Sequence, residues 1–285
     1  MPKSIALALL SVASVGFADV VAPKTFSGLF TPVAYDERRS LSIDRSNFTY
    51  AASGINSGVL QLETSLVEYL QDDKIPGVDG QLKQFAFGTA TLRMGILDNF
   101  EMKTTVGSYV SARFKDGAGN VTKDNGLGDT LFEARYTFVG NGGEAVGVAF
   151  MPYVKLPTNT LQLYNDEVEG GAQLPITWTI DEHFAWCFAP GFDLNYNGQI
   201  DSDYDANPFF ATAFWATAIP ETLFLFNEWY VKKDTGRGKD DLLSYVGVGG
   251  VWIVTRDFGI DFGVNFGLSE SAPDLYCRTG ITYRF

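Results

Sequence analysis

Few residues of this 285-residue chain could support catalysis, and the first of them to weigh is the single histidine, His183. A catalytic nucleophile needs a base within hydrogen-bond reach, but His183 lies in a predicted turn, away from any candidate serine. The sequence contains no glycine-rich phosphate loop between a strand and a helix, and no cysteine or histidine cluster with zinc-ligand spacing. The string from Asp193 to Tyr204 resembles the start of a calcium loop, but Tyr204 stands where a bidentate acid is required. The sequence therefore predicts that the protein is not an enzyme, with no catalytic residue, no metal site and no cofactor.

Charged residues two positions apart are a more informative pattern. Glu101 and Lys103 are spaced in this way, as are Glu133 and Arg135. In an extended strand, side chains at positions i and i+2 lie on the same face, and the intervening positions here are mostly apolar. The pattern predicts strands with one polar face, on which opposite charges can pair, and one apolar face.

This alternation of period two defines twelve predicted strands. Soluble strands usually have about five or six residues, whereas a tilted membrane strand needs roughly 9–11. The connections alternate between short turns and long polar loops, which is typical of outer-membrane barrels. The sequence therefore predicts an all-β fold, a transmembrane antiparallel up-and-down β-barrel of about 12 strands. The strands are expected near residues 58–70, 82–96, 100–113, 127–138, 144–157, 168–180, 184–196, 206–218, 222–233, 241–254, 259–268 and 274–285.

The last predicted strand indicates which face meets lipid. Arg278 and Arg284 lie on its even-numbered face, whereas Ile281, Tyr283 and the terminal Phe285 lie on the odd-numbered face. An arginine that faces the lipid midplane of a barrel costs about 2–4 kcal/mol. The even-numbered face of this strand is therefore expected to be luminal.

The same reasoning sends a near-neutral set of charges into the lumen. Two interpretations of these charges stay open, because an interior charge must be paired or wet: they could form a ladder of ion pairs that fills the interior, or the polar lining of a channel. The predicted lumen-lining residues are Glu63, Arg93, Glu101, Lys103, Asp129, Glu133, Arg135, Lys155, Glu228, Asp261 and Arg278. Further charges expected to point inward are Arg113, Glu169, Asp193, Lys232 and Arg284.

The start of the chain has the features of an exported protein. A positively charged beginning, an apolar stretch from Ile5 to Val15 and a small residue at Ala18 predict a signal peptide over residues 1–18. Residues 19–57 lack clear alternation, so they could lie in the periplasm or fold into the lumen as a plug. Residues 58–285 form the predicted barrel. Export and a membrane barrel together predict an outer-membrane location, in contact with its lipid.

Four consecutive predicted strands, the fifth to the eighth, each contain a proline. Proline has no backbone N–H, so it removes a hydrogen bond from the ladder between strands. In lipid, a carbonyl left unpaired is costly unless water or protein reaches it. The prolines could therefore mark a lateral window through which an apolar solute leaves the lumen. The alternative is that each proline occupies a non-donating position and the wall stays closed. The four residues are Pro152, Pro175, Pro190 and Pro208.

Several short sequences in a fixed order give the chain a family resemblance. They are Asp44-Arg45, Gly58–Glu63, Leu92–Asp98, Phe100-Glu101, Gly126–Asp129, Leu156–Thr158, Ile260–Gly263, Ala272–Asp274 and Gly280–Tyr283. In this order and spacing, they resemble the outer-membrane transporter family named for the meta pathway of phenol degradation. The resemblance runs from about Asp44 to Phe285. The chain departs from the family's pattern at Ser46, where proline is expected, and at Asn159, where glycine is expected.

The resemblance implies uptake of small hydrophobic or aromatic compounds. Together with the predicted fold, it favours an outer-membrane channel or transporter through which a small-molecule solute, which the sequence does not specify, moves by passive diffusion. The alternative is a structural or adhesive surface barrel that is sealed by its luminal charge ladder. The aromatic end of the last strand resembles the signal by which the barrel-assembly machinery recognises outer-membrane proteins. The acidic outer loops are expected to repel anions, so no nucleic acid is expected as a partner.

Overall fold

A closed β-barrel forms the body of the protein in the computed structural model, which describes residues 27–45, 47–73, 75, 80–141, 143–161, 166–197, 203–234 and 241–285. A 3₁₀ turn at Tyr35–Glu37 precedes the barrel. No helix within these described ranges is long and apolar enough to cross a membrane. The strands are β1 (Leu60–Asp72), β2 (Gly80–Phe87), β3 (Ala90–Leu97), β4 (Phe100–Val106), β5 (Tyr109–Asp116), β6 (Val121–Leu127), β7 (Thr130–Val139), β8 (Val146–Leu156), β9 (Glu169–Gln173), β10 (Ile176–Thr179), β11 (Phe184–Asn197), β12 (Asp203–Ile219), β13 (Leu223–Asp234), β14 (Asp241–Thr255), β15 (Phe258–Gly267) and β16 (Leu275–Arg284).

The sheet is antiparallel throughout and closes on itself. The last strand, β16, pairs with β1 from Gln61↔Arg284 to Gln71↔Leu275. In four places, two consecutive strands together make one crossing of the wall: β2 with β3, β4 with β5, β6 with β7, and β9 with β10. Three of these pairs each match one predicted segment, but β6 lies almost entirely in a stretch predicted as a long loop, so the fourth crossing begins earlier than the predicted residue 127. The barrel therefore has twelve antiparallel crossings, and the predicted fold is confirmed. One end of the barrel, the short-turn end, carries the tight turns and the start of β1; the opposite end is the long-loop end.

A two-residue break interrupts each of these four crossings, at residues 88–89, 107–108, 128–129 and 174–175. The first three breaks shift the inward alternation by one position, whereas the fourth does not. In the second crossing, for example, Arg93 faces inward on the short-turn side of the break, and Ala86 faces inward on its long-loop side. A Cβ at Gly107, in the second break, would lie 2.2 Å from the carbonyl carbon of Gly128 in the third, so this close approach requires glycine. Above the breaks, β2, β5 and β6 form a three-stranded extension toward the long-loop end. Its inner face packs around Leu161.

One predicted inward charge is wrong because of these breaks. In β5, Val110 and Ala112 are buried inside, and Arg113 is exposed on the outer face. The sequence alternates on both sides of Gly107 and Ser108, but these two residues lie outside the strands and reset the phase. An alternation counted straight through them assigns Arg113 to the wrong face.

The last strand has the predicted register. Thr282 and Arg284 are buried inside, whereas Tyr283 and Phe285 are exposed outside. Around the barrel the outer face is apolar, and its large exposed side chains include Phe132, Phe150, Trp178, Trp186, Trp229, Val248, Trp252, Phe262 and Phe266. This face is the one that a bilayer would cover.

Replacing Ile281 with arginine is expected to lower the free energy of unfolding in lipid by about 2–4 kcal/mol, because the guanidinium would then face lipid. Replacing Arg278 with leucine is expected to lower it less. Its partner Glu228 keeps a hydrogen bond of 2.8 Å from Asn265. Denaturant titration of the protein refolded into lipid vesicles measures both changes, and the reverse ranking would show that the register is wrong.

Candidate functional site

The N-terminal segment, defined as residues 27–57, lies against the inner wall of the barrel. It begins at the short-turn end, where Arg38 Nη1 donates to the carbonyl of Phe285 at 3.0 Å. It returns to the same end, where the Ser57 hydroxyl donates to Asp98 at 3.1 Å. Between these points, Asp44, Arg45 and residues 47–50 reach farthest into the lumen, and several of them are buried there. The segment therefore rises from the short-turn end, crosses the lumen and descends again.

Ionisable groups hold the foot of this segment, defined as residues 35–38, at the short-turn end. Tyr35 donates a hydrogen bond of 2.6 Å to Asp257, which raises the pKa of Tyr35 above its ordinary value. Burial raises the pKa of Asp257, but the hydrogen bonds from Tyr35 and Arg284 outweigh it and hold this pKa below its ordinary value. A carboxylate with a lowered pKa stabilises the folded state above the unfolded pKa, and this stabilisation is lost as pH falls through the lowered value. The foot is therefore fully paired at neutral pH.

Asp44 is the centre of a buried charge cluster, called the Asp44 cluster. Its carboxylate lies 2.7 Å from Arg135 and 3.4 Å from both Arg93 and Lys103. These three cations belong to the wall, and they also pair with wall acids at 2.8–3.4 Å. The wall pairs are Glu63–Arg93, Glu101–Arg93, Glu101–Arg135 and Glu133–Lys103. The three acids and three bases of the wall cancel, so the wall part of the cluster is neutral before Asp44 is added.

Three further contacts, made by Arg45 and Phe48, fix the segment to the opposite wall. Arg45 pairs with Asp261 at 2.5 Å. The backbone N–H of Phe48 donates to Glu228 at 2.8 Å, and the Arg278 guanidinium lies 4.6 Å from the centroid of the Phe48 ring. Charged and polar contacts therefore hold the segment to strands on both sides of the lumen.

The structure places the eleven predicted lumen-lining residues toward the interior, in three groups. Asp129 and Lys155 lie 3.4 Å apart nearer the long-loop end. Asp261, Glu228 and Arg278 contact the N-terminal segment. The Asp44 cluster contains the other six, Glu63, Arg93, Glu101, Lys103, Glu133 and Arg135. Sequence reasoning missed their partners Asp44 and Arg45, which lie where no alternation marks a face.

A cavity of about 440 Å³ lies in the lumen on the long-loop side of the segment. Its volume is within the range of roughly 300–1,000 Å³ that is usual for small-molecule sites. Its floor is formed by the innermost residues of the segment, Asp44, Arg45, Asn47, Phe48 and Tyr50. A second cavity, of about 320 Å³, shares Glu68, Thr89 and Tyr276 with the first and extends to the breaks at Gly107 and Gly128. The two cavities therefore form adjoining space in the lumen, from the N-terminal segment to the level of the breaks.

Two aromatic side chains line one wall of the cavity and approach glycines that leave room for them. A Cβ at Gly171 would lie 2.7 Å from the ring of Tyr153, and a Cβ at Gly191 would lie 2.4 Å from the ring of Phe209. Gln173 is paired with Gly191 and lies two residues from Gly171, so it stands between the two rings. Its Oε1 is buried, and no group of the described residues donates a hydrogen bond to it. Tyr153, Gln173 and Phe209 are called the Gln173 site.

Sequence reasoning missed the Gln173 site, although one signal was available. Glycine inside a strand often marks a place where another group approaches the backbone closely. Gly171 and Gly191 both occupy inward positions of predicted strands. A large ring on a neighbouring strand could therefore have been expected above each of them.

The backbone is paired around the four prolines that were predicted as a lateral window. Pro152 pairs with Ala172, and Pro190 and Pro208 lie in the uninterrupted β11–β12 ladder. The carbonyls of Pro175 and Pro190 accept hydrogen bonds of 2.9 Å from Ala149 and Leu174. Pro152, Pro190 and Pro208 therefore lie within paired strands, whereas Pro175 lies in the break between β9 and β10. The lateral window stays a prediction.

The single histidine lies away from the cavity. His183 is exposed at a turn of the short-turn end, with Nε2 3.7 Å from the carboxylate of its neighbour Glu182. Within the part of the chain that the structure describes, no three His, Cys, Asp or Glu side chains are grouped so as to hold a metal ion. The chemistry of the lumen is therefore that of ion pairs, hydrogen bonds and aromatic rings.

Comparison with known proteins yields one family and a set of similar folds. The family described as "Putative MetA-pathway of phenol degradation" matches residues 43–285. An outer membrane channel from Pseudomonas putida F1 is similar with a TM-score of 0.63 at 12% identity, covering 86% of this chain and 100% of that chain. The translocator domain of the autotransporter NalP from Neisseria meningitidis is similar with a TM-score of 0.52 at 13% identity, covering 80% of this chain and 89% of that chain. Among curated proteins, no match is found. The fold is thus that of outer-membrane barrels, in which the short-turn end faces the periplasm.

Proposed function

Because the chain belongs to the family of the MetA-pathway of phenol degradation and forms an outer-membrane barrel, we propose that it is a channel for small solutes. A solute enters the luminal cavity from outside by passive diffusion. It reaches the periplasm when the N-terminal segment leaves its place in the lumen. In the conformation described here, that segment closes the periplasmic half of the path.

The observation that carries this proposal is the way in which the cavity floor is held to the wall. Polar contacts hold the floor, and its main anchor, Asp44, inserts into a wall whose own charges already cancel. Removing a partner from a buried ion pair is costly when it leaves an uncompensated charge. Here, departure of Asp44 leaves three wall acids paired with three wall bases. The segment can therefore move without leaving net charge on the wall of the Asp44 cluster.

Deleting residues 19–57 is expected to raise single-channel conductance, because the segment that fills the periplasmic half of the lumen is then gone. The measurement compares the full mature chain and the deletion variant, both refolded into planar bilayers. If both stay non-conducting, the barrel is sealed by its own wall. Such a result would favour the alternative of a structural or adhesive surface barrel.

The Gln173 site supports a single-ring aromatic solute. Tyr153 and Phe209 offer ring faces, and stacked or tilted aromatic contacts are favourable beyond the area they bury. The Gln173 Oε1 is a buried acceptor without a donor among the described residues, and rotation of this side chain toward the cavity that it lines would offer it to an O–H or N–H of the solute. A ring that carries a hydroxyl group would therefore satisfy both features at once.

Replacing Gln173 with leucine is expected to weaken phenol binding about 2- to 10-fold, which corresponds to the loss of one hydrogen bond. Toluene, which has no donor, should bind equally to both proteins. Isothermal titration of the refolded protein, with each ligand dissolved in the same micelle solution, measures this difference. Gln84→Leu is the matched control, since Gln84 lines the second cavity, of about 320 Å³, and not the first. Equal loss of phenol and toluene binding would contradict a role as acceptor.

The last strand supports a second, transient partner. Tyr283 and Phe285 are exposed on the outer face of β16 and lie in edge-to-face contact, with ring centroids 4.9 Å apart. We propose that this aromatic end is what the barrel-assembly machinery recognises before β16 closes on β1. Replacing Phe285 with alanine should then slow insertion by that machinery more than it slows spontaneous refolding.

A further inference from the structure

Three cations lie side by side on the outer face of the three-stranded extension. In the ladders, Lys83 pairs with Arg113, and Arg113 pairs with Lys123. All three side chains are exposed. Directly opposed side chains in an antiparallel sheet have Cβ atoms about 5 Å apart. The three cations, called the cation row, therefore span two neighbouring strand gaps, or about 10 Å.

An anion bound to the cation row would relieve repulsion within it. Like charges directly opposite each other in a sheet are destabilising. The outward side chains of β2, β5 and β6, three strands that the structure describes completely, include no acid, because Asp116 and Asp124 lie on the other face. This concentration of positive charge stands on a chain with a net charge of -13.

The height of the cation row matches the polar edge of a membrane. On the outer face below it lie Phe85, Phe87 and Tyr109, which form part of an exposed aromatic band. Outer-membrane barrels carry such aromatic girdles at the boundary between hydrocarbon and headgroups. One row above the girdle, toward the long-loop end, is the level at which lipid headgroups contact the wall.

From this register we infer that the cation row binds the phosphate groups of a lipid of the outer leaflet. The Arg113 guanidinium at the centre is a planar donor suited to phosphate, and the flanking lysines supply point charges. Directly below the row lie Phe85, Ser111 and Asn125, and the next outward row is Phe87, Tyr109 and Leu127. The acyl chains of the same lipid would lie along Phe85 and along this lower, apolar row. The site is separate from the lumen, so it does not depend on transport.

Titration of the refolded full-length protein with bisphosphorylated lipid A in detergent tests this inference. A cation near an anionic lipid surface contributes about 1 kcal/mol, or about fivefold in affinity. Arg113→Gln should therefore weaken binding about fivefold, and the triple variant K83Q/R113Q/K123Q about 100-fold. Lys115→Gln is the matched control, because Lys115 lies on the same strand and face, one row above. It should change binding by less than twofold.

A second measurement separates binding from a structural role. In detergent without lipid A, Arg113→Gln should be as stable as the wild type or more stable, since it relieves repulsion within the row. Lipid A without phosphates should bind no better to the wild type than to the triple variant. Equal affinity for the two forms of lipid A, or equal effects of Arg113→Gln and Lys115→Gln, would overturn the inference. Binding of inorganic phosphate as tightly as lipid A would overturn it too, because the ligand would then be free phosphate.

Discussion

Replacing Asp44 with asparagine is expected to raise the ratio of open to closed channel about 10- to 100-fold. The substitution removes the charge that the N-terminal segment places among Arg93, Lys103 and Arg135. A hydrogen bond to a charged group contributes about 1.5–3 kcal/mol, and each 1.4 kcal/mol is a factor of ten. The wall keeps its three acids and three bases, so the barrel itself should unfold at nearly the same denaturant concentration.

Single-channel recording of the refolded variant measures this opening ratio. Asp36→Asn is the matched control, because Asp36 belongs to the same segment but its side chain is exposed at the short-turn end. It should leave the opening ratio unchanged. If Asp44→Asn conducts no more than the wild type, the Asp44 cluster is not what keeps the channel closed.

Replacing Glu101 with glutamine is expected to lower the free energy of unfolding by about 3–5 kcal/mol. Glu101 lies 3.0 Å from Arg93 and 2.9 Å from Arg135, and the side chains of both arginines are fully buried. Removing one partner of a buried ion pair is strongly destabilising because it leaves buried charge uncompensated. Unfolding in denaturant, followed by tryptophan fluorescence in lipid vesicles, measures the change.

The same variant separates stability from gating. Without Glu101, the wall of the cluster has one more base than acid, so its attraction for Asp44 increases. Glu101→Gln should therefore destabilise the barrel without opening the channel, the reverse of Asp44→Asn. Glu182→Gln, at an exposed turn, is the control and should change neither property. An increase in conductance for Glu101→Gln would show that the segment is held by the wall acids instead.

The barrel could be predicted from the sequence because a closed membrane sheet imposes one environment on each face. Contrasts between apolar and charged residues along a strand, as between Ile281 and Arg278, set the register. The same register then predicts the inward direction of most of the luminal charges. The phase shifts could not be predicted in this way. Gly107 and Gly128 are each compatible with an unbroken strand, and it is their contact across neighbouring crossings that ends β4 and β6. Arg113 was misassigned for that reason.

The sequence predicted the wall residues of the candidate site but not the residues of its floor. The wall residues, such as Glu101 and Arg135, repeat with the period of a strand. Asp44 and Arg45 belong to a segment without regular structure, so no period reveals which way their side chains point. Their positions follow from charges on strands that are distant in sequence, and such pairings become visible only when the barrel is closed.

The contacts of the N-terminal segment with β13 and β15 also determine the order of events in folding. Arg45 reaches Asp261 across 216 residues, and Phe48 reaches Glu228 across 180. Contacts of such separation form slowly, because the entropy of closing a long loop is lost before they can compensate for it. The N-terminal segment is therefore among the last parts of the protein to become ordered. Refolding should show a slow late phase in which the closed barrel takes up its own N-terminal segment.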